Sequence, residues 1–534
     1  MAALEVLLTT ETLVESAPKP GRFAGIHPLL FAAYAVLFLW SQNLGETNPR
    51  QVLLPLLGIV LGAALVTVVL GLVFRDRRRG ALVASSLVVG LLMYGHIHHL
   101  LASFPVPTFV QQAGWAALVV VAVIAAIRLD ERRIATIDWA LDRIGGILVL
   151  VTLVLIIPFQ VSAFAGRASI PQVQPVGTTT TAAKRDVYWF IFDRYGSERA
   201  LQLQYGVDND LPEWLEDHGF AVLEDSHANY IRTVLSMATT VQMQHLDAVA
   251  KAQGARSEDI TTVNEWLQDA PVARQFRALG YSYEHIGSAF DPTRSDRGAD
   301  VNYTLPSPPG TGDFEDALFD TSAVPAILKR LHLPPLSERV RHYDFSTYAL
   351  DAVAKLRDEP GPKFVMTHVL LPHPPLVFDF DGSFIEDAEA AKLGSAEMYR
   401  RQLAYTNTRI EAILTDLQSL PEDRRPIVIL QADEGPWPLS YATGRKTDDD
   451  WPADASEKEL EQKYGILNAW YVPGGDDLGL YPSMTAINTF PTLFSRYFGL
   501  DYELLPDRIY SSSDWYHPYD LTDITDRLPS LRER

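Results

Sequence analysis

Val187-Tyr188-Trp189-Phe190-Ile191-Phe192 is an unbroken apolar run that stops at Asp193 and continues Arg194-Tyr195-Gly196. Such a run predicts a buried parallel strand with an acid at its C-terminal tip, the edge where open α/β sheets hold ligands. A second run, Ile427 to Gln431, ends in Ala432-Asp433-Glu434-Gly435. Hard divalent cations need oxygen donors that converge from separate chain segments, and strand tips can supply that convergence. One isolated acid would read as the cap of the next turn. Two acid-ended strands, one with adjacent acids, point to a shared metal or phosphate site built from Asp193, Asp433 and Glu434.

A hydroxyl joins the candidates. In Ser226-His227-Ala228-Asn229-Tyr230-Ile231-Arg232-Thr233-Val234-Leu235-Ser236-Met237, polar residues stop at Thr233 and an apolar helical pattern follows. A hydroxyl at a helix N-terminus sits in positive potential, which favours an alkoxide or a bound anion. Taken alone, Thr233 reads equally as an N-cap.

The elements around these residues divide the 534-residue chain in two. Residues 1–165 are dominated by apolar runs, and five are read as membrane spans: His27–Asn43, Gln51–Phe74, Ala81–Phe104, Gly114–Ile127 and Ile144–Phe164. Arg75, Arg77, Arg78 and Arg79 follow the second span, and Arg128, Arg132 and Arg133 follow the fourth, whereas Pro105 to Ala113 is uncharged. The positive-inside bias therefore predicts a cytoplasmic N-terminal segment (1–26) and an extracytoplasmic C-terminal domain of a multi-pass plasma-membrane protein. Glu5, Glu11 and Glu15 precede any basic residue, which does not fit a secretory signal peptide. His96, His98 and His99 lie towards the outer end of the third span, where polar side chains are either functional or simply solvated.

The chain has no cysteine, which excludes disulfides, thiol catalysis and thiolate metal sites. Residues 1–165 carry 11 basic and 9 acidic side chains; since the whole chain nets −21, the rest holds −23. So acidic a domain argues against nucleic acid as a partner. Residues 166–184, with Thr178 to Thr181, read as a linker, and 185–534 as one α/β domain. Its predicted strands are Val187–Phe192, Phe220–Leu223, Tyr281–Ile286, Lys363–Val369, Ile427–Gln431 and Asn468–Val472, alternating with helices at Pro212–His218, Val234–Met243, Val263–Leu279, Ser346–Arg357, Ala388–Leu417 and Thr489–Phe498. Asp291–Pro335, rich in Pro, Gly and Asp, reads as a surface wrap near the site, and Ala442–Lys463 as a lid or a solvated loop.

Five segments occur in a familiar order: "FIFDRYG", "SHANYIRTVLSMATT", "HVLLPHPPLVF", "ILQADEGP" and "NAWYVPGG" with "LYPSMTAINTF". Over about residues 185–510 they resemble the sulfatase-like branch of the alkaline phosphatase superfamily. Within it they resemble membrane-anchored proteins related to lipoteichoic acid synthases and phosphoglycerol or phosphoethanolamine transferases. The resemblance implies an alkaline phosphatase-like fold behind a bundle of about five transmembrane helices. It also implies roles: Asp193 as the first metal-binding acid, Thr233 as nucleophile and metal ligand with Ser236 in the same segment, Asp433 as the acid of the family's Asp-His-Gly motif, and His373 as a substrate-side histidine. His368, on the preceding strand, ranks below His373 for that role, with a core residue as the alternative reading. Glu434 stands where the family has histidine. As a ligand it would favour Mn²⁺ or Mg²⁺ over Zn²⁺.

Sulfatases make formylglycine from Cys or Ser in a Cys/Ser-x-Pro-x-Arg context, which this chain lacks. The expectation is therefore phosphoryl chemistry: a metal-dependent phosphoalcohol transferase or phosphodiester hydrolase working through phospho-threonine. Its donor would be lipid-linked, from the bilayer, and its acceptor an envelope glycan. The alternative, raised by Glu434, is an inactive sulfatase-like envelope binding or scaffolding protein.

Overall fold

The computed structural model describes residues 25–101, 104–168, 170, 173–306, 312–331, 337–442, 444, 446, 451–475 and 477–528. Nearly all of the N-terminal segment 1–26, and parts of the 166–184, 291–335 and 442–463 segments, lie outside these residues. The chain divides into two compact units, Met1–Gln160 with Pro309–Pro335, and Val161–Pro308 with Leu336–Arg534.

In the first unit the apolar runs form α1 (His27–Gln42), α2 (Pro49–Phe74), α3 (Arg77–Leu92), α4 (Tyr94–Leu101), α5 (Thr108–Arg128) and the start of α6 (Glu131–Ala168). Three helices, α2, α5 and α6, are long and apolar enough to cross a membrane; α3 and α4, bent by 49° at Met93, make a fourth if they form one broken span. The 16-residue α1 reaches only about 24 Å, short of a hydrocarbon core of roughly 30 Å. Among the described residues the count is thus three or four, not five, because an apolar run need not reach the length that a span requires.

One buried polar knot ties this unit together. The His27 ring meets Ser85 Oγ at 2.5 Å through Nδ1 and Asp138 at 3.3 Å through Nε2, and Arg78 approaches the other oxygen of Asp138 at 3.5 Å. Asp142 accepts the backbone N–H groups of Ile26 and His27, capping α1.

Residues Asp313–Asp320 and Val324–Arg330 form two short helices of the same unit, not a surface wrap. Phe314 and Leu318, one helical turn apart, are buried against Val36, Leu39 and Val52. Apolar residues at helical spacing within a Pro- and Asp-rich stretch dictate that packing.

The second unit is built on a seven-stranded sheet. Its strands are β1 (Val187–Phe192), β2 (Ala221–Val222), β3 (Ser282–Ile286), β4 (Val301–Tyr303), β5 (Lys363–Val369), β6 (Ile427–Gln431) and β7 (Asn468–Tyr471), in the order β2-β7-β6-β1-β5-β3-β4. The five strands from β6 to β4 are parallel, and β7 runs antiparallel to β6. A two-stranded ribbon, β8 (Tyr510–Ser512) and β9 (Leu521–Asp523), stands apart. Both faces are covered: Tyr188, Phe190 and Phe192 enter one core cluster, and Val187, Trp189 and Ile191 the other. Continuous apolar strands are what a doubly covered parallel sheet requires.

Candidate active site

The register brings the acids level. Ile191 of β1 pairs with Gln431 of β6 and with His368 of β5. Asp193 and Asp433 therefore lie two residues beyond a matched pair, and the period of two puts them on the same face as His368. The helix Thr233–Gln242 packs on that face too, since Val234, Leu235, Met237, Ala238 and Val241 join the cluster of Ile191 and Trp189.

Asp193, His368 and Asp433 converge, each offering a ligand atom within 4.8 Å of the others. His368 Nε2 stands 3.5 Å from an Asp193 oxygen. Its Nδ1 meets Thr293 Oγ1 at 2.8 Å, which fixes the ring so that Nε2 faces the acids. Asp193 Oδ1, His368 Nε2 and Asp433 Oδ2 are all buried, and none has a hydrogen-bond partner among the described residues. Three orphaned donor atoms at one point fit a bound cation, because burying them unpaired is costly.

Charge tells the same story. Burial pushes the Asp433 carboxyl well above its usual range, and the charges of Asp193 and Glu434 push it further. Burial also acts to raise the Asp193 carboxyl, but His373, His368 and Arg194 outweigh it and hold that group below the usual carboxylate range. Two neighbouring acids driven apart in this way share one site, with the nearby positive groups favouring the ionised form of Asp193.

Thr233 occupies the first turn of its ten-residue helix. Its hydroxyl lies beside Asp433 and opposes the rise of that carboxyl, and the residue is only half-buried, unlike Ser236, which is enclosed. The hydroxyl thus joins a buried acidic cluster to accessible space, at the positive end of a helix.

Glu434 points into a different set of partners. Arg194 Nε lies 3.0 Å from one of its oxygens, and Lys463 Nζ lies 2.7 Å from the other. Lys463 has no exposed side-chain surface; burial pushes its ammonium down to about 8, with Glu434 opposing that shift. Arg194 adopts φ +58°, a left-handed conformation that is strained for a non-glycine residue. The turn lets its backbone N–H reach Asp433 Oδ1 at 3.1 Å while its guanidinium serves Glu434. Sequence reasoning overlooked Lys463 and ranked His368 below His373. The signal for His368 was a lone imidazole inside an otherwise apolar strand beside β1.

His373 follows β5 on a loop clamped by the fully buried Gln402. The Gln402 amide donates to the carbonyls of Pro372 (3.2 Å) and His373 (2.9 Å), and its oxygen accepts the N–H of Val377 (2.8 Å). His373 Nδ1 bonds to the Pro374 carbonyl, which can only accept, so Nδ1 carries the proton and Nε2 a lone pair. Burial lowers the basicity of this imidazole, partly offset by Asp193.

No family model matches the sequence, and no curated protein matches it. Among solved structures, the chain is similar to the C-terminal periplasmic domain of EcEptC from Escherichia coli, at TM-score 0.43 and 13% identity, over 67% of this chain and 98% of that one. A zinc complex of the same domain gives the same values. It is also similar to the C-terminal periplasmic domain of phosphoethanolamine transferase EptC from Campylobacter jejuni (TM-score 0.35, 11% identity, 63% of this chain and 94% of that one). BT1596, a 2-O GAG sulfatase, matches at TM-score 0.37 and 14% identity, over 61% of this chain and 77% of that one.

Proposed function

We propose that the chain is a membrane-anchored, metal-dependent phosphoalcohol transferase or phosphodiester hydrolase of the cell envelope, with Thr233 as nucleophile. One observation carries this reading: the hydroxyl of a half-buried threonine at a helix N-terminus stands beside a buried cluster whose ligand atoms are orphaned. Asp193, His368, Asp433 and Thr233 would hold one divalent cation. When bound, it supplies Lewis-acid stabilisation of the reacting oxygens.

The chain's own groups account for the rest. Asp433, beside the Thr233 hydroxyl, gives its proton a path as the oxygen attacks phosphorus. The Thr233 O–P bond forms, the ester P–O bond breaks, and the departing alcohol takes up the proton that Thr233 passed to Asp433. Neutral His373 Nε2 then takes a proton from the incoming water or acceptor hydroxyl, which displaces Thr233 from phosphorus. The helix N-terminus offsets charge on the phosphoryl group throughout.

The ligand set bears on the metal. Preference for Mn²⁺ or Mg²⁺ followed from Glu434 as an oxygen ligand. With Glu434 engaged by Arg194 and Lys463, His368 becomes the nitrogen donor, and a mixed nitrogen and oxygen set also suits Zn²⁺. The engagement of Glu434 equally favours the inactive scaffolding alternative, and one experiment separates the two. The full-length protein is assayed for phosphodiester turnover after metal removal and re-addition of Zn²⁺, Mn²⁺ or Mg²⁺. We expect turnover with at least one ion, a phosphate adduct on Thr233 by peptide mass spectrometry, and a loss of about a thousandfold or more in Thr233→Ala. Turnover that survives the substitution removes the nucleophile, and a protein that neither binds metal nor turns over is the scaffold.

A further inference from the structure

The membrane unit carries a second convergence of ligand atoms besides the Asp193 cluster. His27, at the start of α1, and Asp138 and Asp142, both on α6, each offer an atom within 4.8 Å of the others. Residues four apart share one helix face, so both carboxylates of α6 meet the start of α1. Asp138 lies seven residues beyond Glu131, where α6 begins, so the cluster sits about 10 Å inside the end of that helix.

The atoms are placed for an ion rather than for each other. His27 is fully buried, and Asp138 is 1% exposed. His27 Nε2 stands 3.3 Å from Asp138 Oδ1. That is within reach of a hydrogen bond but not aligned for one, and neither atom has a hydrogen-bond partner among the described residues. Arg78 Nε keeps 3.5 Å from the other Asp138 oxygen, longer than the roughly 2.7–2.9 Å of a charge-assisted bond. A buried carboxylate left in this state is costly unless a positive group completes it. Two ligands held at about 2.0–2.1 Å by one tetrahedral ion stand about 3.3 Å apart, which is the spacing of this pair. The surroundings also suit ligation. Ser85 Oγ, 2.5 Å from Nδ1, holds the imidazole by its other nitrogen. Asp142 accepts the N–H groups of Gly25, Ile26 and His27, which leaves one of about four lone-pair positions for a ligand.

We propose that His27, Asp138 and Asp142 hold one divalent metal cation, which pins α1 to α6 and, through Ser85, to α3. One nitrogen and two oxygens suit Zn²⁺ or Mn²⁺ and leave a further position for water. The site is independent of the Thr233 cluster and of any activity assigned to it. The test counts zinc per full-length chain in detergent, after equilibration with Zn²⁺ and removal of the excess. His27→Asn keeps an amide within reach of Ser85 and deletes Nε2. It should lower the count by about one equivalent, whatever the Thr233 cluster retains. Asp138→Cys keeps a negative ligand at similar reach in a chain that has no cysteine of its own. Loaded with Co²⁺, this variant should show a sulfur-to-cobalt charge-transfer band, which requires direct coordination. The band should fall at least tenfold when His27→Asn is added, which separates a built site from a stray thiolate in a misfolded chain. A zinc count unchanged in His27→Asn overturns the proposal. So does the absence of the band in Asp138→Cys, or a band that survives the added His27→Asn.

Discussion

At the scale of residues, identity and position carry different amounts of information. Asp193, Thr233 and Asp433 stand out in the sequence because each ends or begins an apolar run, and the structure brings the three together. His368 does not stand out, because a buried imidazole in a strand is more often core than ligand, and only the β1–β5 register places it opposite Ile191. Glu434 illustrates the converse. Its neighbour in sequence suggests a ligand, while its counter-ions, Arg194 and Lys463, reveal a carboxylate already neutralised by two cations. These assignments predict different responses to mutation. His368→Ala should lower the metal content of the purified protein, measured by elemental analysis, by about one equivalent. Glu434→Gln keeps the shape but leaves the buried Lys463 and the half-buried Arg194 short of a charge, and breaking a buried pair typically costs about 3–5 kcal/mol. It should lower the melting temperature while most of the metal stays bound. Metal loss in Glu434→Gln with none in His368→Ala would restore Glu434 as the ligand.

At the scale of elements, strands were more legible than helices. β1, β5 and β6 coincide with their apolar runs because strands buried on both faces need no polar alternation. Val263–Leu279 reads as one helix but is two, Thr261–Gln268 and Pro271–Ala278, since Pro271 cannot continue a helix and can begin one. Ala388–Leu417 divides likewise at Gly394, whose φ is +78°. The short edge strand β4 went unread because it is half-exposed and lies in a polar stretch. The turn after β6 shows what sequence pattern leaves out. A Cβ on Gly435 would stand 2.3 Å from the Gln462 carbonyl and 3.0 Å from that of Lys463, while Gly435 N–H donates to Lys463 at 2.9 Å. The helix Glu457–Tyr464 therefore packs backbone to backbone against the turn that aims Asp433 and Glu434. Gly435→Ala should destabilise the domain by about 1–3 kcal/mol, the usual cost of overpacking. Tryptophan-detected melting checks this; an unchanged melting temperature would show that the turn yields easily.

At the scale of the whole molecule, the apolar runs announce a membrane unit, but they do not announce that residues 309–335 belong to it. Long-range return of a short helical pair leaves no signature in local hydropathy, whereas the arginines do leave one for orientation. Arg75, Arg77, Arg78 and Arg79 sit between α2 and α3, and Arg128, Arg132 and Arg133 between α5 and α6. The positive-inside bias predicts that both turns face the cytoplasm and that the chain after α6 lies on the far side. The sequence is suited to testing this directly, because it has no cysteine to mask or remove. Single cysteines placed at Asp76, Asp130, Val106 and Glu224 can be probed in intact cells with a membrane-impermeant maleimide. Val106→Cys and Glu224→Cys should label from outside, while Asp76→Cys and Asp130→Cys should label only after permeabilisation. Labelling of Glu224→Cys only after permeabilisation would put the Thr233 site in the cytoplasm and remove envelope substrates from its reach. Labelling of Asp76→Cys from outside, with Asp130→Cys protected, would mean that the bent α3–α4 pair enters and leaves on one side instead of crossing. Because α1 is too short to span and α3–α4 is broken, these four positions decide between three crossings and four.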